Sequence, residues 1–410
     1  MLIHRSLSNL VDVLRQKRLL GNHVFIDGTK ILADANKYSF VWKKNTVRFD
    51  ALNRTAIETL LKEINDAQRT CRLPAGTDLT LDTLDEMITQ LECRLEDLDR
   101  EVATTANVSP NPAKQVRRKL KSQTRKLKER RDKLAEHQEQ ARTFGSRNSY
   151  SKTDHDATFM RVKEDPMMNG QTKPAFNVQF ATNHQFIVGF DAFQNPTDTR
   201  TLIPFIKKLK AAGVLEPYVS ADAGYGSQQN YQFFEDQISE HTALIPYGTM
   251  LKEESRRWQS DDPKVMNWVY RAKDDYYVDP KGVRFNFQAY RQRKDKQDGF
   301  KRTFKEYQAE AKDADGQPIP AAITPKGYVR KMMVNPEWEY FKAKERGLLS
   351  DPENAAIYAQ RKIDIEQVFG RMKAYLGFKR FHFRGLNMIK RELGIAVIAM
   401  NIMKLAGMMA

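Results

Sequence analysis

The chain has 410 residues and a formal net charge of +16, from 68 Lys and Arg against 52 Asp and Glu. Apolar residues make up 40% and charged residues 29%, which excludes a wholly disordered chain and leaves apolar sequence for two or three domains. Two cysteines, Cys71 and Cys93, exclude a disulfide framework and a multi-cysteine zinc module, and the basic balance points to an anionic partner, nucleic acid first.

Leu7, Leu10, Val11 and Leu14 share one helical face and predict a short amphipathic helix, with no apolar core of signal-peptide length around it. His23–Ile26 reads as a buried strand broken by Asp27 and Gly28. A long helical region follows. Leu84, Ile88, Leu91, Leu95, Leu98 and Val102 alternate in steps of four and three, an a/d seam. A bend is expected over Asn107–Pro112, after which Val116, Leu120, Leu127 and Leu134 resume the spacing, so an antiparallel helical hairpin is predicted. Tyr150–Gly170 reads as a loop.

From Pro174 the pattern turns to β. Phe176–Phe180 and Phe186–Phe190 predict a hairpin turning at Asn183 and His184. Thr199–Ala212 is a helix, Tyr218–Ala221 a short strand running into Asp222, Gln228–Ile238 a helix and Ala243–Ile245 a strand. Residues 249–350 are mixed and polar, with a hairpin over Tyr276–Phe287 and a loop over Ala311–Lys326. Glu353–Tyr375 is helical. Leu393–Ala410, interrupted by Asn401 and Lys404, reads as a helix buried against a sheet, because a lysine in mid-span argues against a membrane crossing. The expected fold is a mixed α/β sheet flanked by helices, carrying two insertions. Its segments are 1–48 (first helix and strand), 49–149 (helical, coiled-coil insertion), 150–248 (main part of the core), 249–350 (second insertion) and 351–410 (closing helices).

The charge is concentrated. Lys114–Lys133 carries a net +9 and Arg361–Arg391 a net +7, which together account for the whole excess. Clustered cations neutralise adjacent phosphates together, so the first segment is expected to bind DNA without sequence preference. A solvated helix face is the alternative. The second segment is interleaved with Tyr375, Phe378, Phe381, His382 and Phe383.

Asp27 and Asp222 each follow an apolar strand and precede a glycine at once or after one residue, where α/β folds place ligand chemistry. Two close carboxylates repel unless a divalent cation bridges them, and Glu366, set among Arg361, Lys362, Arg371 and Lys373, would add a third oxygen ligand. Other readings stay open. A plain turn explains Asp before Gly, a helix ion pair explains Glu366, Asp191 competes with Asp222, and Asp154 and Asp156 could order their loop.

Three stretches carry a family resemblance. Residues 27–43 (DGTKILADANKYSFVWK), 221–227 (ADAGYGS) and 358–373 (YAQRKIDIEQVFGRMK, then GFKRFHFRG at 377–385) resemble the successive acidic motifs of bacterial insertion-sequence DDE transposases, in their Tyr-Arg-Glu-Lys signature branch. The likeness covers 22–48, 150–248 and 351–405. It implies a ribonuclease H-like core in which Asp27, Asp222 and Glu366 are catalytic and hold two ions, Mg²⁺ or Mn²⁺. It implies hydrolysis at transposon ends, then strand transfer of the freed 3′-hydroxyl into target DNA. Tyr358, Arg361, Lys362, Lys373, Arg380 and Arg384 would contact double-stranded DNA, in a homodimer of a cytoplasmic, nucleoid-associated protein with no membrane partner.

Three departures accompany the resemblance. Only 26 residues precede Asp27, so the usual N-terminal DNA-binding domain is expected to be lacking. The spacing from Arg361 to Glu366 is one residue longer than the usual signature, leaving Arg361 and Lys362 as alternatives for the arginine. The second insertion has none of the cysteines that could bind zinc in some relatives. An inactive transposase remnant retained as a DNA-binding coiled-coil protein, or a nuclease of the same fold, are the competing functions.

Overall fold

The structure is a computed structural model and describes residues 2–67, 73, 79–104, 111–162 and 170–409. It divides into two units: Met1–Ala33 with Arg161–Gln171 and Ala175–Ala410, and Asp34–Met160 with Thr172–Pro174. Cys71 and, up to residue 110, the bend expected at Asn107–Pro112 lie outside the described residues.

The first unit is built on a mixed sheet centred on β1 (His23–Leu32). β2 (Thr172–Asn183) pairs antiparallel with β1, setting Phe180 opposite Asp27 and Gln179 opposite Gly28. β3 (Phe186–Phe193) completes a hairpin through His184 and Gln185, whose positive φ values of 49° and 64° match the mirror turn that strand twist favours. On the other side, β4 (Tyr218–Ala221) runs parallel to β1, and β5 (Thr242–Leu244) runs parallel to β4. The order is β3-β2-β1-β4-β5.

Among the described residues six helices serve this sheet: α1 (Leu2–Gln16), α2 (Leu202–Ala211), α3 (Gln228–Gln237), α4 (Pro336–Ser350), α5 (Pro352–Arg361) and α6 (Leu386–Met409). In α1 the predicted stripe is buried through Leu7, Val11 and Leu14. On one sheet face, α2 packs so closely that a Cβ on Gly189 would meet Leu209 Cδ2 at 2.1 Å. On the other face lies α5 with its helical continuation to Tyr375, in which Phe369 stacks on Phe180 at 5.2 Å between ring centroids.

β1 corrects the sequence reading. It does not break at Asp27 but continues through Gly28 to Leu32. Gly28 is there for close approach and not for a turn: a Cβ would stand 2.2 Å from Gln179 Nε2 and 2.8 Å from Asp198 Oδ1. The loop expected over Tyr150–Gly170 contains two short strands, Ser149–Ser151 and Thr158–Arg161.

α6 packs on β3 and α1. By length and composition it is the one helix among the described residues that could cross a membrane. It is buried along one side only, through Ile389, Leu393, Val397, Met400 and Asn401, while Ile395, Ile402, Met403, Met408 and Met409 stay exposed, so the expectation of a helix buried against the sheet holds for that side alone. The Asn401 side chain accepts from the Ile187 N–H and donates to the Ile187 carbonyl, both at 2.8 Å, so the amide completes an edge strand. Replacing it leaves two buried backbone groups unpaired. Asn401→Leu is expected to lower unfolding free energy by about 2–3 kcal/mol in urea titrations; a loss below ~0.5 kcal/mol would show that another partner substitutes.

Residues 249–350 begin with two single helical turns, Met250–Glu253 and Arg256–Gln259. They then form a five-stranded antiparallel sheet in chain order: β6 (Val269–Arg271), β7 (Tyr276–Val278), β8 (Arg284–Lys294), β9 (Lys301–Ala309) and β10 (Lys331–Val334). Val283, Phe285, Tyr307, Ala309 and Ala322 are its core. The expected 276–287 hairpin is present as the β7–β8 pair.

Among the described residues the second unit has three helices in chain order, Lys43–Ala67, Leu81–Thr104 and Pro112–Phe144, of which the last two are the expected pair and the first is a further one. The third helix packs on both others. Leu84, Ile88, Leu91 and Leu98 of the seam are buried with Leu120, Leu127 and Leu134, and Ile57, Leu60, Leu61 and Ile64 of the first helix join them. Val116 is exposed and drops out of the seam. Asn111 caps the third helix by accepting from the Lys114 N–H at 3.1 Å, ahead of Pro112. Part of the basic run is matched across helices, Arg131 to Asp85 at 2.6 Å and Arg117 to Asp99.

Candidate active site

Asp27 lies mid-strand on β1, and Asp222 is the first residue after the parallel neighbour β4, where Ile26 and Ala221 are in register. Adjacent parallel strands therefore deliver the two carboxylates to one place. The effect shows in Asp27, whose carboxyl is pushed up to about 6 by burial and then by the charge of Asp222; the Gly28 N–H and Arg361 pull the other way. Each aspartate also holds its own backbone, Asp27 Oδ1 accepting from the Gly28 N–H at 2.7 Å and Asp222 Oδ1 from the Gly224 N–H at 2.9 Å.

Arg361 ends α5, is 8% exposed, and places Nη1 3.5 Å from Asp27 Oδ2. Its guanidinium lies 5.8 Å from the centroid of the Tyr358 ring, whose hydroxyl is raised by burial and lowered by that same arginine. Lys362 is exposed. Of the two alternatives, Arg361 is the one that faces the aspartates.

The extra residue in the signature has a structural counterpart. α5 passes into a π-helical turn, Lys362–Glu366, then an α turn, Gln367–Gly370, and a second π turn, Arg371–Tyr375. In an α-helix residue i+5 points about 140° away from residue i, whereas a π turn, bonded i to i+5, brings the two nearer one face. Glu366 closes the first π turn, one turn before Phe369, but its side chain is exposed. Among the described residues, no three His, Cys, Asp or Glu side chains are grouped to hold a metal ion. The structure thus brings Asp27 and Asp222 together and does not bring the exposed Glu366 into a group with them, contrary to the expected triad.

Lys373, in the second π turn, donates to the Lys30 carbonyl at 3.3 Å. The following segment extends the sheet past Leu32, with the Leu32 N–H donating to Lys379 O and the Phe381 N–H to Leu32 O. Arg380 and Arg384 are exposed there beside Phe383. Glu392 fixes the turn by accepting from the His382 N–H at 3.0 Å and the Phe383 N–H at 3.2 Å.

The rival carboxylates are engaged elsewhere. Asp191 on β3 is clamped by Lys208 at 3.2 Å and Lys390 at 2.8 Å. Asp154, in the other unit, accepts from the Asp156 N–H at 3.1 Å and orders its loop.

Behind the aspartates is a polar cluster that sequence reasoning missed. Asp198 accepts from Asn177 Nδ2 at 2.7 Å and Gln179 Nε2 at 3.1 Å, with Lys30 Nζ 3.3 Å away. Tyr225, fully buried, donates its hydroxyl to Gln179 Oε1. Thr199 Oγ1 donates to the Gly224 carbonyl at 2.7 Å, tying the Asp198 turn to the Asp222 loop. Gly28 was the available signal, since only a missing Cβ lets Gln179 cross β1.

A profile of the family described as transposase DDE domain matches residues 147–402, more than half of the chain. The chain belongs to the transposase DDE domain family. Comparison with curated proteins and with solved structures returns no match. Within this transposase the matched stretch holds Asp222, Tyr358, Arg361, Lys362, Glu366, Lys373, Arg380 and Arg384, while Asp27 precedes it. Two neighbouring carboxylates, Asp27 buried and raised partly by the charge of Asp222, are oxygen donors of the kind a hard divalent cation takes, and such a cation would relieve their repulsion.

Proposed function

We propose that this transposase cleaves DNA at the ends of a mobile element and transfers the strand into target DNA, with Asp27, Asp222 and Glu366 as its metal-binding acidic triad on a ribonuclease H-like sheet. The convergence of Asp27 and Asp222 from adjacent parallel strands carries this reading. The three residues would hold two Mg²⁺ or Mn²⁺ ions. When bound, such ions supply Lewis acidity at the attacking and leaving oxygens of an in-line phosphoryl displacement.

The chain's own residues do the rest. Arg361 orients the Asp27 carboxylate from 3.5 Å, and its charge partly offsets the repulsion from Asp222. Tyr358 holds the guanidinium from the other side. Lys373, Lys362, Arg380 and Arg384 offer cations to the phosphate backbone, arginine as a fork and lysine as a point charge. A homodimer acting on double-stranded DNA at the nucleoid of the cytoplasm completes the proposal.

The test is an oligonucleotide assay on duplex taken from the genomic DNA bordering the open reading frame. Metal-dependent joined products are expected; nicked products alone would favour a nuclease, and neither would refute the reading. Cation binding has a sign to check as well. A proton on Asp27 competes with the ion, so below pH 6 Mn²⁺ affinity is expected to fall by up to about tenfold per pH unit. A pH-independent affinity between 5 and 7 would remove Asp27 from the site.

A further inference from the structure

β8 and β9 form the longest hairpin of the second insertion, and they outrun their sheet. β7 flanks β8 only at Arg284–Asn286, and β10 flanks β9 only at Lys305–Gln308. The pairs Arg291–Phe304, Gln292–Thr303, Arg293–Arg302 and Lys294–Lys301 therefore make a bare two-stranded ribbon. Every residue from Tyr290 to Lys294 is exposed, without the inside–outside alternation of a strand lying on a core.

The composition of this overhang is one-sided. Residues 288–305 contain seven Lys or Arg against two Asp, a local excess that a segment-wide balance conceals. Two of the cations stiffen the ribbon: the Arg293 guanidinium lies 5.0 Å from the Phe304 ring and that of Arg302 lies 4.9 Å from Phe300. Lys294, Lys296 and Lys301 are exposed and have no acidic partner among the described residues. Exposed edges of this kind are unfavourable unless charge keeps them from pairing or a partner covers them.

The tip is not left to swing. Asp295, where the ribbon turns, meets Arg200 Nη2 at 3.3 Å with both carboxylate oxygens. Arg200 belongs to the same 3₁₀ turn as Asp198, the residue bonded to Asn177 and Gln179 behind Asp27, and Thr199 of that turn binds the Asp222 loop. A cationic ribbon is thus latched to the framework of the acidic pair. We infer that this β-ribbon is a DNA-backbone clamp, which lays Lys294, Lys296 and Lys301 on duplex phosphates beside the scissile position. A two-stranded ribbon is narrow enough to follow a groove of B-form DNA while its lysines reach the strands. The inference rests on the transposase reading and adds to it a surface outside the acidic motifs.

The test compares the full chain with its Lys294→Gln/Lys296→Gln/Lys301→Gln variant, by fluorescence anisotropy on the same bordering duplex from 50 to 200 mM salt. Each lost phosphate contact lowers the slope of log affinity against log salt by about 0.9, so a decrease of roughly 2–3 is expected, with affinity about tenfold lower at 150 mM. The Lys→Arg triple variant should restore both. Unchanged slope and affinity in the Gln variant, while the parent chain still binds and cleaves DNA, would overturn the clamp and leave the transposase reading intact. Failure of the parent chain to bind duplex at all would overturn both.

Discussion

Asp222→Asn is expected to abolish strand cleavage and joining while making the metal-free protein more stable. The two effects come from one cause. Asp27 is raised to about 6 against an ordinary 3.8, so its folded form resists ionisation. This group's contribution to stability is greatest below pH 3.8, falls as pH rises from 3.8 to 6, and at neutral pH is lower by about 3 kcal/mol. Burial is the larger cause and Asp222 the next. Removing the Asp222 charge should therefore recover about 1 kcal/mol at pH 7, read as a higher Tm without divalent ions. The same change removes an oxygen donor from the proposed cation site, and losing several kcal/mol of transition-state stabilisation lowers cleavage about 10³-fold or more. A site built for chemistry and not for stability gives this opposed pair of signs. Undiminished cleavage in the variant would dismiss the acidic pair as the catalytic centre. A lower Tm would mean that the carboxylate charge strengthens the bond from the Gly224 N–H by more than the repulsion costs.

What could be read from the residues depended on how locally each feature is determined. Tyr218–Ala221 and the Phe186 hairpin were legible because short apolar runs end at strong turn formers, and the position of Asp222 after its strand was legible by the same logic. Asp27 was singled out for a mistaken reason. Its Asp-Gly pair looks like a strand end, yet Gly28 is needed to let Gln179 and Asp198 pass, which is a tertiary demand. The Asp198–Gln179–Tyr225 cluster joins three separate stretches of chain and leaves no periodic trace. α4 was folded into an irregular insertion because Trp338, Phe341, Lys342 and Glu345 mix apolar and charged positions on its buried side. The ribbon escaped for the opposite reason: with solvent on both faces it has no alternation to detect. The choice between Arg361 and Lys362 needed the π turn, and one-residue bulges of that kind are set by packing against β1 more than by propensity.

Glu345 offers a large stability effect that depends on pH. It sits on the sheet side of α4, 3% exposed, and its Oε2 is 3.4 Å from the Ile245 N–H at the end of β5. Burial pushes its carboxyl up to about 8, against weaker opposing pulls from the Ile245 N–H and Lys344. In the unfolded chain the group titrates near 4.5. Between those values the native protein holds a proton that the unfolded chain has released, so stability falls as pH rises from 4.5 to 8. At about 1.36 kcal/mol per unit, the effect at pH 8 amounts to as much as ~4 kcal/mol. Glu345→Gln keeps the shape and the acceptor for Ile245 but cannot ionise. Urea titrations should therefore find the variant more stable than the parent by about 2–4 kcal/mol at pH 8, and within ~1 kcal/mol of it at pH 5. Parallel pH profiles for the two proteins would show that the carboxylate is solvated and that α4 meets β5 less closely than Ile245 and Glu345 require.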